Sequence, residues 1–178
     1  EFLFHDRASL PDEEQQFAIY RRIVAWAAGR PVTIRTLDAG GDKPVPGYTL
    51  DGEANPFLGM RGIRLSLKHA DIFKVQLRAI LRAATLGPVK VMLPMVTSAD
   101  DLERSRTLLE SCHAELAAAG VIHAMPELGI MVEVPAVAMA PERFAAAFYS
   151  IGSNDLTQYA TAAGRDSAET AHWADVAH

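Results

Sequence analysis

The apolar positions of this chain follow two rhythms. Residues 32–37, 89–96, 128–134 and 148–151 are short apolar runs without strict alternation, the pattern of strands covered on both faces. Between them, apolar residues recur at helical spacing: Phe17, Tyr20, Ile23, Val24 and Ala27, then Ile72, Val75, Ala79, Ile80 and Ala83. Punctuation supports the division. Ser9-Leu10-Pro11-Asp12 predicts a helix start with a hydroxyl cap, an early proline and acids, and Gly29 predicts its end. Gly87-Pro88 stops a helix expected over 71–86. Ser98 and Asp101 form a capping box for a helix running to 119, with Gly120 as its C-terminal signal. An Ala-rich helix is expected over 136–147 and another from Asp155, while residues 1–4 read as the end of a further strand.

Alternating strand and helix, with strands that are apolar throughout, means parallel strands covered by helices. No G-x-G-x-x-G follows the first strand, so a dinucleotide-binding fold lacks its main support. The polar residues of interest sit at or after strand C-terminal ends, which is the rim where chemistry occurs in a (β/α)8 TIM barrel. Five or six strand units are expected, too few to close a barrel that needs about 250 residues. The expectation is one domain over residues 1–178, an incomplete barrel with its first strand partial and its last strands missing. Unpaired edges in such a barrel favour self-association, or disorder near the C-terminus.

Two strand ends carry carboxylates. Glu133 closes the run before Pro135, and Asp155 comes after the turn Gly152-Ser153-Asn154. One reading is a single divalent cation with oxygen ligands shared between them. The other pairs Glu133 with an arginine and leaves Asp155 to cap its helix. Arg35 interrupts an apolar strand, and a buried arginine needs a partner. The loop 38–56 is rich in Gly and Pro, includes Gly40-Gly41-Asp42-Lys43, and is long enough to be functional. Arg35, Lys43, Arg61 and Arg165 lie near the expected rim and suit a small anionic substrate, because Arg grips phosphate and carboxylate with a fork. Asn154 could donate to a phosphate oxygen. Arg64, Arg78 and Arg82 read as surface ion pairs.

Composition narrows the choice. The 178 residues are 49% hydrophobic and 22% charged with net charge −5, which fits a soluble domain with a real core and argues against a nucleic-acid partner or membrane insertion. A single cysteine, Cys112, precludes an internal disulfide, fits a cytoplasmic setting and reads as inert in mid-helix. The six histidines are scattered, with no pair at ligand spacing beside a Cys or carboxylate.

The strings TIRTLDAGGDKP, NPFLGMRGIRLSL, QLRAILRAA, VMLPMV, GIMVEVPA and SIGSNDLTQY, in this order, resemble enzyme I of the phosphoenolpyruvate-dependent sugar phosphotransferase system. Multidomain fusions that contain enzyme I fit equally well. Single motifs are shared with pyruvate, phosphate dikinase and phosphoenolpyruvate synthase, whereas EFLFHDR and GGDK point to enzyme I. The resemblance implies a phosphoenolpyruvate-binding (β/α)8 barrel, the C-terminal domain of a homodimer. It implies Mg2+ on Glu133 and Asp155, and substrate held by Arg35, Arg61, Asn154 and Arg165 with Lys43 nearby. The phosphoryl group would pass to a histidine on a separate N-terminal domain and then to HPr, releasing pyruvate. The family's proton-donor cysteine and a further substrate arginine have no match here, and the wording after Arg165 departs from the family. The piece alone is therefore expected not to complete a turnover. Two other readings remain in view: a non-catalytic ligand-binding or dimerisation module, and a Mg2+-dependent lyase acting on a pyruvate enolate.

Overall fold

Helix α1 (Glu13–Ala27) begins where Asp12 accepts from the backbone N–H of Gln15 while the Gln15 side chain accepts from Asp12 N–H. This reciprocal box satisfies two of the donors that every helix start leaves open, so the cap is Asp12 rather than the expected Ser9. The helix stops at Ala28 in the left-handed conformation. The computed structural model describes residues 10–41, 43, 45–50, 52–164 and 168–174. The strand expected at residues 1–4 lies outside them.

Strand β1 (Val32–Arg35) leads into an irregular loop, a single 3-10 turn at Pro56–Leu58, and helices α2 (Ile63–Lys68) and α3 (Ala70–Ala83). Then come β2 (Val89–Leu93), α4 (Ala99–Ala118), β3 (Glu127–Val132), α5 (Pro135–Met139), β4 (Tyr149–Ile151), α6 (Ser153–Thr161) and α7 (Ala171–Ala174). The four strands form one parallel sheet in the order β1-β2-β3-β4. Each strand pairs with the next in sequence, so the right-handed crossovers put the helices on one face and the sheet curls as half a barrel. Among the described residues there are four strands, not the five or six expected.

The core lies between sheet and helices. Ile34, Val91, Leu93 and Ile130 face Phe73, Leu77, Ile80 and Leu81 of α3 and Leu109, Cys112 and Leu116 of α4. Burying each such side chain contributes roughly 1.5–3 kcal/mol. Outside the core, Glu13 and Glu14 of α1 pair with Arg82, and Glu13 and Glu115 pair with Arg78. Arg64 behaves differently from the ion pair expected of it. It donates to the carbonyls of Leu58 and Gly59 and to Thr97 Oγ1, pinning the turn before α2.

Two helix expectations need correction. The Ala-rich stretch is helical only over Pro135–Met139, because Pro141 has no N–H to give and starts a separate 3-10 turn, Pro141–Arg143. Helix α6 begins at Ser153 rather than at Asp155, so Asp155 lies within its first turn. No helix among the described residues is long and apolar enough to cross a membrane.

Candidate functional site

Parallel register lines up the C-terminal strand ends: Arg35 beside Met92, Leu93 beside Ile130, Val132 beside Ile151. The segments leaving these strands therefore meet along one rim. Arg35 is the last residue of β1, not its middle, which explains how an arginine fits on this strand: its side chain leaves the sheet at the edge, about a quarter exposed.

The densest cluster centres on a residue that no sequence motif singles out. Asp38 is buried in the loop after β1. Its Oδ2 lies 3.0 Å from Arg61 Nη2, 3.5 Å from Arg35 Nη1 and 4.0 Å from Lys43 Nζ. Lys43 is delivered by a tight turn in which Gly40 and Lys43 exchange both backbone hydrogen bonds. Gly40 has φ +103°, and a Cβ there would stand 2.6 Å from both Arg61 Cβ and the Met60 carbonyl, so only glycine fits.

Arg61 is fully buried. Its other partner is Asp155, reached through a fork of 3.1 Å (Nη1–Oδ1) and 3.4 Å (Nη2–Oδ2), and Nη1 also donates to Tyr159 Oη at 3.2 Å. Tyr159 in turn donates to the Phe57 carbonyl at 2.5 Å. Burial alone would pull the guanidinium down, but Asp38 and Asp155 outweigh it and hold Arg61 above its usual range. A buried charge is tolerable on those terms, with carboxylates on both sides. Asp38 Oδ1 has no hydrogen-bond partner among the described residues.

Glu133 lies just after β3 and is also buried. Its Oε1 accepts from the backbone N–H of Met95 at 2.6 Å. Met95 is left-handed at φ +59°, a strained state for a side chain with a Cβ, and this bend turns its N–H towards the carboxylate. Burial raises Glu133 to about 7; Met95 N–H and Arg35 oppose the rise, and the charges of Asp38 and Asp155 add to it. Gly152, before α6, packs against Glu133, where a Cβ would come within 2.8 Å of Glu133 Cβ.

Arg35, Lys43, Glu133, Asn154 and Asp155 together line one open cavity of about 260 Å³. Five of the seven residues singled out from the sequence thus meet at one place. Arg61 stands a layer deeper, behind Asp155 and Asp38. Arg165 lies outside the described residues. The second reading of the carboxylates is not met as stated: Asp155, the residue it leaves to cap a helix, pairs with Arg61, while the hydrogen bond to Glu133 comes from Met95 N–H. Glu133 and Asp155 do share a cavity. Among the described residues no group of three or more His, Cys, Asp or Glu is arranged to hold a metal. Glu133 and Asp155 bring two carboxylates to the cavity, a number that fits Mg2+, an ion that keeps several waters and takes only one or two carboxylates plus phosphate oxygens from a ligand. A carboxylate oxygen has a second lone pair, so Asp155 can serve Arg61 and a cation together. Cys112 plays no part: it is buried in the core, its thiol pushed up to about 11 chiefly by that burial.

A family model described as PEP-utilising enzyme, PEP-binding domain, matches residues 1–178. The chain belongs to this family. The PEP-binding domain is 48% identical over 180 residues to the multiphosphoryl transfer protein of Rhodobacter capsulatus, covering 100% of this chain and 21% of that protein. It is 50% identical over 171 residues to a phosphoenolpyruvate-protein phosphotransferase of Haloferax volcanii, covering 93% of this chain and 30% of that one. A protein of the same name from Latilactobacillus sakei is 45% identical over 168 residues, with coverage of 93% and 29%. The PEP-binding domain thus spans between a fifth and a third of the length of these relatives.

Proposed function

We propose that this chain is the substrate-binding part of a phosphoenolpyruvate-protein phosphotransferase, a transferase that works through a phosphohistidine. The observation that carries the reading is the single cavity at the strand ends, where two cations, two carboxylates and an amide converge on an acidic protein. Phosphoenolpyruvate carries a phosphate and a carboxylate on three carbons, and the cavity is of matching scale and charge pattern. Arg35 and Lys43 neutralise the anion, and Asn154 donates to a phosphate oxygen. Arg165 belongs to the same substrate set by resemblance. Glu133 and Asp155 would hold Mg2+, which would supply charge neutralisation for the transferred phosphoryl group and the enolate left behind.

Arg61 acts from behind. Fixed between Asp38 and Asp155, it orients Asp155 towards the cavity, and it reaches a phosphate directly only by releasing one of those partners. Phosphoryl transfer asks a protein for positioning and charge more than for covalent chemistry, and these residues provide that. The phosphorus–oxygen bond of phosphoenolpyruvate breaks as a bond forms to a histidine nitrogen on a separate N-terminal domain, and HPr receives the group next. The full protein is cytoplasmic and works as a homodimer in this reading, with no role for nucleic acid.

Titration calorimetry of the 178-residue chain with phosphoenolpyruvate tests it. Heat is expected only with Mg2+ present, and Arg35→Met should weaken binding by roughly tenfold or more, the loss of one charge-assisted contact. No heat from a folded sample with both ligands would defeat the substrate assignment. Binding without label transfer to an added histidine domain would leave a non-catalytic binding module.

A further inference from the structure

Away from the rim, at the opposite end of the strands, two histidines face each other. Helix α4 ends in a tight motif: Gly120 N–H bonds to the Ala117 carbonyl, Val121 N–H bonds to the Leu116 carbonyl, and Gly120 takes φ +67°. This reversal brings His123 back over the last turns of α4, where His113 projects into solvent. His123 Nε2 then lies 2.8 Å from His113 Nδ1, and His123 Nδ1 lies 2.7 Å from the Val121 carbonyl.

The tautomer follows from the chemistry of the partners. A carbonyl can only accept, so His123 Nδ1 carries the proton and Nε2 presents a lone pair. Metal-binding histidines are held in this way, with the far ring N–H donated to a backbone carbonyl, which fixes ring orientation and raises ligand basicity. Here that carbonyl belongs to the fixed helix end. With metal absent, His113 Nδ1 donates its proton to His123 Nε2. If that proton is exchanged through water for one on His113 Nε2, the ring stays neutral and two lone pairs face each other across 2.8 Å, and a turn of the exposed His113 ring brings both to bear on one ion.

We propose that His113 Nδ1 and His123 Nε2 form a two-point site for a divalent transition metal of tetragonal preference. At metal–nitrogen distances of about 2.0–2.1 Å, nitrogens 2.8 Å apart subtend about 90° at the metal. That is the angle between neighbouring ligands in square-planar or octahedral geometry, not the wider tetrahedral one, so Cu2+ and Ni2+ fit better than Zn2+. Solvent access to His113 leaves the remaining positions to water. Mg2+, which demands oxygen, is excluded, so this site and the cavity at the rim take different ions. The metal clasps the end of α4 to the segment leading into β3, adding a direct tie to the turn that already joins them.

Titration of the 178-residue chain with CuCl2 and with NiCl2 tests the site, followed by calorimetry and by imidazole ring-proton NMR. One tight equivalent of Cu2+ is expected, Ni2+ weaker, Mg2+ not competing, with paramagnetic broadening confined first to His113 and His123. H113Q and H123Q should each lower Cu2+ affinity by roughly tenfold or more while leaving far-UV circular dichroism unchanged. The ring-proton readout stands on the unmutated chain, so it decides the matter even if a variant folds poorly. Broadening spread evenly over other histidines, or Cu2+ affinity unaltered in the H113Q/H123Q double variant, would overturn the proposal.

Discussion

Glu133 is held where a carboxylate is costly, and its proton shows the cost. Its ordinary value is 4.5 and burial brings it to about 7, so the folded chain keeps a proton that the unfolded chain loses near pH 4.5. Between those values the folded state binds more protons, and the stability Glu133 contributes, complete below pH 4.5, is lost as pH rises through 7. The loss is on the order of 3 kcal/mol over the window. Glu133→Gln keeps the acceptor for Met95 N–H and cannot charge. In urea melts without Mg2+ this variant should vary less between pH 5 and 8 than the parent and be the more stable of the two at pH 8. A steeper pH dependence in the variant would show that Glu133 is not the titrating group. In the ligand reading the sign reverses for binding: a cation displaces the proton, so Mg2+-dependent affinity for phosphoenolpyruvate should rise with pH through 7 and vanish in Glu133→Gln. Asp38 sets a second test. Replacing it by Asn leaves Asp155 as the one carboxylate against the buried Arg61 among the described residues, at a cost on the order of 3 kcal/mol. Glu115→Gln, which breaks solvent-screened surface pairs with Lys74 and Arg78, should move the urea midpoint far less than Asp38→Asn does.

Helices α3 and α4 divide their stability between burial and end chemistry, and substitutions separate the two. Leu77 on α3 is fully enclosed, so Leu77→Ala should cost about 2–5 kcal/mol. Ser98 caps α4 in a box with Asp101, and Ser98→Ala should cost only about 1 kcal/mol. Equal midpoints in guanidinium would contradict that ranking. These same features explain how much the chain reveals before it is folded. Caps and short apolar runs are local, so the box at Ser98 and all four described strands are legible in the sequence. Pro141 inside the Ala-rich stretch is also a local signal, and it outweighs helix propensity there. Helix α2 has only six residues, too few to show a period. The pairing of Arg61 with Asp155 spans 94 positions and that with Asp38 spans 23, so no spacing rule could reveal them. Asp38 looks like the start of a loop, and its role emerges only once three cations close around it. The Ser and Asn beside Asp155 announce the strand-turn-helix layout, but the depth of Arg61 behind it belongs to packing.

Among the described residues the half-barrel leaves one side of the sheet open, and that side is apolar. Strand β4 pairs with β3 along one edge and has no second strand partner among the described residues. Around it Ile151 is 75% exposed and Met139 85%, and Val132, Ala138, Pro141 and Tyr149 join Ile151 in a shallow cavity of about 490 Å³. An unpaired parallel edge beside apolar surface is a template for another strand. In the 178-residue chain on its own, a second copy is the nearest supplier, and sedimentation velocity should show a weight-average coefficient that climbs with protein concentration. Ile151→Lys puts a charge on the edge, where natural sheets commonly carry one to repel further strands, and should hold the chain at the monomer value across the same range. Association that persists unchanged in this variant would place the contact elsewhere, whereas a parent chain that stays monomeric at its solubility limit would mean that the curl of the sheet already protects β4. The association should also be insensitive to salt, since it rests on apolar area and backbone bonds rather than on the ion pairs of α1, α3 and α4, which added salt would screen.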